Sequence, residues 1–205
     1  MDGIAIEDHF TTYHEAMEAL TRGNVPHVIG GGIAVAAYGR KRATKDLDLY
    51  IKTEDRMRAM ETLKNAGFDT NPMIDVRWLC KAYKDGVPID FIMENIGKIT
   101  TTEETLAHGR RMNMYGYDVM VMSPEDLLLR KILAMRCYRD DWYDCIAVLS
   151  NTYASFDWEY FLRLIDRFPE KALSFLLFVK TDWDHVIPIP ESVFAGLIRR
   201  VGNMR

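Results

Sequence analysis

The residues best suited to chemistry in this chain are two aspartates two positions apart, Asp46 and Asp48, with Gly30, Gly31 and Gly32 shortly upstream. An oxygen-rich pair of this kind is what a hard cation such as Mg²⁺ selects. In Asp46-Leu47-Asp48-Leu49-Tyr50-Ile51 the strict alternation sends both carboxylates to one face and Leu47, Leu49 and Ile51 to the other, which predicts a half-buried strand. Like charges so placed repel unless something positive sits between them. The glycines end a β-prone run and open a helix, so the freed amides of the turn suit a phosphate; their commoner role is simply to permit a tight turn. A third carboxylate, Asp90, interrupts the apolar stretch Val87-Pro88-Ile89-Asp90-Phe91-Ile92-Met93 and faces either solvent or a site. An acid among apolar neighbours is costly unless it is paired or metal-bound, which makes Asp90 a candidate third ligand beside the other two. Arg40, Lys41, Arg42 and Lys45 form the densest positive cluster, directly against Asp46. That cluster is either a solvated loop or a phosphate contact.

These residues need elements to hold them. Phe10, Tyr13, Met17 and Leu20 recur at three- and four-residue steps and predict an amphipathic helix from Glu7 to Leu20, ended by Arg22-Gly23-Asn24. Val25 to Ile29 then reads as a strand and Ile33 to Tyr38 as a helix, giving the order strand, glycine turn, helix. After the Asp46 strand, a helix is expected through Ala66, capped by Thr53 and closed by Gly67. A strand near Val76 to Tyr83, the turn signal Asp85-Gly86 and the run Val87 to Met93 predict a hairpin. A short helix over Thr101 to Gly109 and a strand over Tyr117 to Met122 follow. Ser123-Pro124-Glu125-Asp126 is a strong helix start, with Ser123 as cap. Beyond it helical periodicity dominates over Leu127 to Ser150, Trp158 to Phe168 and Lys171 to Val179. Trp158, Phe161, Phe175, Phe178 and Trp183 read as its helical core. The chain thus divides near Met122 into an α/β part, residues 1–122, and a helical part, residues 123–205.

Composition sets outer bounds. At 205 residues, 48% hydrophobic and 27% charged, the chain fits one globular unit or a small core with a helical lobe. Cys80, Cys137 and Cys145 form neither a disulfide framework nor a zinc-ligand spacing, and five scattered histidines support no zinc site. The acidic N-terminal stretch lacks a signal-peptide pattern, and the longest apolar run is too short to cross a bilayer, so no membrane span and a cytoplasmic location are expected. A net charge of −4 argues against bulk coating of nucleic acid.

The stretch GGIAVAAYGRKRATKDLDLYI, Gly31 to Ile51, resembles the signature of the nucleotidyltransferase superfamily that includes DNA polymerase beta. More narrowly it looks like the branch of abortive-infection-type toxin nucleotidyltransferases. Gly31, Gly32, Ala34, Gly39, Arg42, Thr44, Asp46 and Asp48 take the motif positions, whereas Tyr38 stands where the branch often has His and Gly32 where many superfamily members have Ser. A second stretch, SPEDLLLRKILAMRCYRDDWYDCIAVL, resembles the branch's C-terminal helices, although Asp140 stands where relatives have Lys. The resemblance implies an α+β fold, a small mixed-sheet nucleotidyltransferase core with flanking helices, followed by a C-terminal helical lobe packed on it.

It also implies a function: transfer of a nucleoside monophosphate from an NTP to a hydroxyl acceptor, with Mg²⁺ or Mn²⁺ as cofactor. On that reading Asp46 and Asp48 bind two ions and Asp90 completes the one that activates the acceptor. Gly31 and Gly32 amides hold phosphates, and Arg42 and Lys131 offset their charge. Thr44 lies in the nucleotide motif, Arg136 lies near the triphosphate, and Asp141 or Asp144 orients Lys131 or the acceptor. The acceptor is an RNA 3′ end or a protein side chain, with a small molecule third. Arg110, Arg111, Arg136, Arg139, Arg199 and Arg200 are the candidate RNA contacts. A toxin-like role with a cognate antitoxin partner is implied, against the alternative of a catalytically silent nucleotide- or partner-binding module of such a system.

Overall fold

The computed structural model describes residues 6–40, 44, 46–71, 77–136 and 141–204. The chain forms two compact units, one of residues 1–37 with 41–123 and one of residues 38–40 with 124–205.

The first unit is built on a seven-stranded mixed sheet in the order β3-β4-β5-β2-β1-β9-β8, with β1 Val28–Ile29, β2 Leu47–Tyr50, β3 Asp69–Asn71, β4 Leu79–Lys84, β5 Val87–Ile92, β8 Arg110–Met114 and β9 Tyr117–Val121. A separate two-stranded ribbon pairs β6 Glu94–Asn95 with β7 Ile99–Thr100. β2 lies in the middle of the large sheet, antiparallel to β1 and parallel to β5. Leu47 and Leu49 are buried while Asp48 is half-buried, as the alternation predicts, and Tyr50 is buried as well.

Helix α1, Ile6–Arg22, buries Phe10, Tyr13, Met17 and Leu20, the predicted stripe. It stops where Asn24 takes φ 52 and the Val25 N–H turns back to the Leu20 carbonyl at 2.9 Å. Helix α2, Gly31–Ala37, follows β1 directly. Residues 53–55 form a 3₁₀ turn that runs into α3, Arg56–Asn65. The expected Thr53 cap is therefore not made. The chain enters α3 through Asp55 already in helical conformation, and the Asp55 carboxylate pairs with Arg58 rather than capping the helix.

The β4–β5 hairpin turns on Asp85 and Gly86, both at positive φ as a type I′ turn requires, and its register pairs Lys84 with Val87. A second hairpin of the same geometry, β8–β9, turns on Tyr115 and Gly116. Its first strand was not foreseen, because Arg110-Arg111-Met112-Asn113-Met114 lacks the β-branched and aromatic content that marks strands. Helix α4, Glu103–Ala107, starts at Thr102, whose hydroxyl accepts the Thr105 N–H at 3.2 Å.

The second unit contains α5 Pro124–Ala134, α6 Asp141–Thr152, α7 Trp158–Leu164, α8 Pro169–Trp183 and α9 Glu191–Gly202. Helix α5 is buried almost all round and packs against α6, α7 and α8, which explains its apolar run Leu127-Leu128-Leu129. Its charged residues are buried too, and each has a partner. Asp126 accepts from Arg130 at 2.9 Å and from the Tyr160 hydroxyl at 2.7 Å. Phe161 and Phe175 are core, as expected, but Phe178 and Trp183 are exposed; Phe178 instead stands edge-on to Trp142 at 4.5 Å. Helix α9 was not foreseen, its buried set being only Val193, Phe194 and Leu197.

Among the described residues no helix is long and apolar enough to cross a membrane.

Candidate functional site

Three adjacent strands bring the first group of residues together. The parallel register of β2 on β5 sets Asp48 beside Asp90, and the antiparallel register of β4 on β5 sets Lys81 beside Asp90. Lys81, Asp90 and Asp48 therefore form a row across the sheet, on strands about 4.8 Å apart. Asp46 lies at the entry of β2, close enough for its charge to act on both Asp90 and Lys81. The Thr44 hydroxyl donates to the Asp46 carbonyl at 3.5 Å.

The glycine turn is fitted to Asp48. Gly30 donates its N–H to the Asp48 carbonyl at 2.9 Å, and Gly31 sits at φ +56. A methyl group on Gly31 would meet Asp48 Oδ2 at 1.7 Å and its Cβ at 3.0 Å, so any side chain there pushes the carboxylate away. Gly30 is constrained in the same way by the Tyr50 ring, 2.2 Å from where its Cβ would be. The close approach, beyond the turn itself, requires these two glycines. Gly32 is buried within the first turn of α2.

The carboxylates shape their surroundings. Tyr13, buried on α1, has its phenol pushed up to about 12, first by burial and then by the negative charges of Asp46 and Asp48. Asp90 binds the Lys81 ammonium through both oxygens, at 2.7 and 2.8 Å. Burial pushes the Asp90 carboxyl up, Lys81 draws it down, Asp46 pushes it up again, and the net shift is upward. For Lys81, burial draws the ammonium down, but its bond to Asp90 and the nearby negative charges outweigh burial and raise it. Among the described residues no group of three or more His, Cys, Asp and Glu side chains gathers closely enough to hold a metal ion by itself.

Lys81 was not singled out from the sequence, although the signal was present. A two-residue turn at Asp85-Gly86 fixes the hairpin register, and counting outward from it pairs position 81 with position 90.

The second unit holds the other predicted residues. Lys131, almost fully buried on α5, donates to Asp141 at 3.2 Å and to Asp144 at 2.8 Å, both on α6. Arg40 pairs with Asp144 as well, and its guanidinium lies over the Tyr143 ring. The cluster holds two cations and two carboxylates in a buried setting, the condition under which buried charge is tolerable. Arg136 donates to the carbonyls of Leu133 and Met135. Of the arginines considered for RNA, Arg200 is tied to Asp166 and Arg111 is exposed on β8. Arg42, Lys41, Lys45, Val76, Cys137, Arg139 and Asp140 lie outside the described residues.

A groove of about 790 Å³ opens in the first unit among His14, Arg22, His27, Leu106, Arg111 and Met120. None of the predicted catalytic, metal or nucleotide-binding residues lines it; of the candidate RNA contacts, Arg111 does.

Comparison with known structures agrees with this architecture. The chain is similar to the solution structure of the antibiotic-resistance factor ANT(2'')-Ia, 21% identical, with a TM-score of 0.55 over 80% of this chain and 92% of that one. It is also similar to an antigenic nucleotidyltransferase-like protein from Paracoccidioides brasiliensis, 18% identical with a TM-score of 0.47, covering 92% of this chain and 97% of that one. The lincosamide antibiotic adenylyltransferase LnuA, in its lincomycin-bound crystal structure, is 12% identical with a TM-score of 0.47, covering 72% of this chain and 98% of that one. At such identities the likeness to ANT(2'')-Ia speaks to the fold alone. No curated protein matches the chain. The decisive match is to a family model that spans residues 9–201, and this chain therefore belongs to the family described as nucleotidyl transferase of unknown function (DUF2204).

Proposed function

We propose that this nucleotidyltransferase moves a nucleoside monophosphate from an NTP to a hydroxyl acceptor with the help of a divalent cation held by Asp46 and Asp48. The observation that carries the reading is the fit of Asp48 beneath Gly31, where a single added carbon would displace the carboxylate. Nothing about the stability of a sheet asks for an aspartate in that position. A carboxylate kept hard against a glycine turn suits a phosphate and its cation arriving together.

The donor set fits one such cation. Mg²⁺ commonly takes one or two protein carboxylates and completes its shell with water and substrate phosphates, so two aspartates suffice for it. A cation bound there would offset the triphosphate charge and polarise the α-phosphorus. Asp46 and Asp48 would hold and orient it. The acceptor oxygen forms a bond to the α-phosphorus, the bond to the bridging oxygen breaks, and pyrophosphate leaves with that electron pair. Asp90, close to both aspartates and only slightly exposed, receives the acceptor proton. Most of the rate then comes from positioning and charge stabilisation.

The acceptor is distinguished by experiment. The protein is incubated with Mg²⁺ and each α-³²P-labelled NTP, in separate arms with total RNA, a cell-lysate protein fraction and a small-molecule extract. The reading predicts label in one arm, pyrophosphate release, and loss of both in Asp46→Ala/Asp48→Ala. Transfer equal in the double variant, or nucleotide binding without transfer in any arm, would sink it; the second result would make the chain a silent binding module.

A further inference from the structure

The Lys81–Asp90 pair is the feature that the reading above does not absorb. We propose that Lys81 stands in the place of a second metal ion, so that the site works with one divalent cation, on Asp46 and Asp48, and a fixed ammonium on Asp90. This rests on the reading of Asp46 and Asp48 as the cation-holding pair.

Three observations lead to it. First, Lys81 engages both oxygens of Asp90, at 2.7 and 2.8 Å, so the carboxylate faces the ammonium squarely. Second, the placement is built into the backbone: Lys81 and Asp90 are direct cross-strand partners in a hairpin whose turn is locked by two residues at positive φ. A surface lysine that happens to reach an acid has no such constraint. Third, the pair is sheltered, with side chains 25% and 13% exposed, so the ammonium's charge is poorly screened and repels a cation brought to the same carboxylate.

The division of labour follows. Asp46 and Asp48 take the ion. Asp90 is kept in place beside them by a charge that cannot dissociate, and its engagement does not depend on cation concentration. Lys81 acts here as a positioning residue, since it touches Asp90 and not the reacting atoms.

The test counts ions. The full chain is titrated with Mn²⁺ in the presence of each α,β-methylene NTP in turn, a non-cleavable probe, and bound Mn²⁺ is measured by electron paramagnetic resonance. The expected result is one tightly bound Mn²⁺ per wild-type chain, one in Lys81→Arg, and two in Lys81→Met, with the second lost again in Lys81→Met/Asp90→Asn. Two ions in the wild type would overturn the proposal, as would a single ion in Lys81→Met. No bound ion in the wild type with any probe would instead overturn the cation-holding role of Asp46 and Asp48. Circular dichroism confirms folding of each variant, and Lys81→Gln serves if Lys81→Met does not fold.

Discussion

Replacing Gly31 with alanine perturbs the site by one carbon. Two costs can be separated from the geometry. Gly31 is at φ +56, and an L-residue held in the left-handed region loses about 1–2 kcal/mol. The new methyl also falls 1.7 Å from Asp48 Oδ2 and 3.0 Å from Asp48 Cβ, so rotating the carboxylate relieves only part of the clash and the β2 backbone must give. Overpacking of that kind costs typically ~1–3 kcal/mol. The two together predict a loss of about 2–5 kcal/mol in the unfolding free energy of the first unit. Urea denaturation followed by circular dichroism, on Gly31→Ala alone and in an Asp48→Gly background, isolates the clash. In that background only the strain of about 1–2 kcal/mol should remain. Nucleotidyl transfer should be lost in the single variant, because the displaced carboxylate is one of the proposed cation-holding pair. An equal cost in both backgrounds, or a loss below about 0.5 kcal/mol with full activity, would refute the close approach of turn and carboxylate.

Two further predictions concern stability away from this contact. Lys131→Met removes the ammonium that both Asp141 and Asp144 engage, and should lower stability by about 3–5 kcal/mol in urea melts; a loss below about 1 kcal/mol would show the cluster to be hydrated instead of buried. His27 is held below its ordinary value of 6.5 by burial, against the pull of its bond to the Val25 carbonyl. The unfolded chain therefore binds the extra proton first, and stability that is fully present above pH 6.5 declines as pH falls toward the folded value. His27→Gln should flatten that decline between urea midpoints taken at about pH 7.5 and 5.5, and an unchanged slope would exclude His27 as its source.

Where the sequence was informative, local physics and tertiary packing agreed. The α1 stripe, the alternation of Asp46 to Leu49 and the Asp85-Gly86 turn each satisfy a local rule that the fold also needs. The same holds for the family signature, whose glycines are required by contact with Asp48 and Tyr50. The readings that failed depended on partners distant in sequence. Arg110 to Met114 is a strand because Tyr117 to Val121 pairs with it, not because of its own residues. Thr53 lost its capping role to a 3₁₀ turn whose acid, Asp55, is taken by Arg58. Asp90 was recognised as an acid out of place, but its partner Lys81 becomes visible only when hairpin register is carried across to the facing strand. The buried charges of α5 were hidden for a related reason. In sequence Lys131 looks like a surface helix lysine, and it takes α6 to supply the carboxylates that allow it inside.

On the proposed reading Asp46 and Asp48 hold the cation of an incoming NTP against the glycine turn. Anomalous diffraction from crystals soaked with Mn²⁺ and an α,β-methylene NTP tests it most directly. The expected result is a Mn²⁺ peak coordinated by Asp46, Asp48 and the triphosphate, with the phosphates lying against Gly31 and Gly32. Nucleotide and Mn²⁺ bound elsewhere, with both aspartates free of metal, would contradict it.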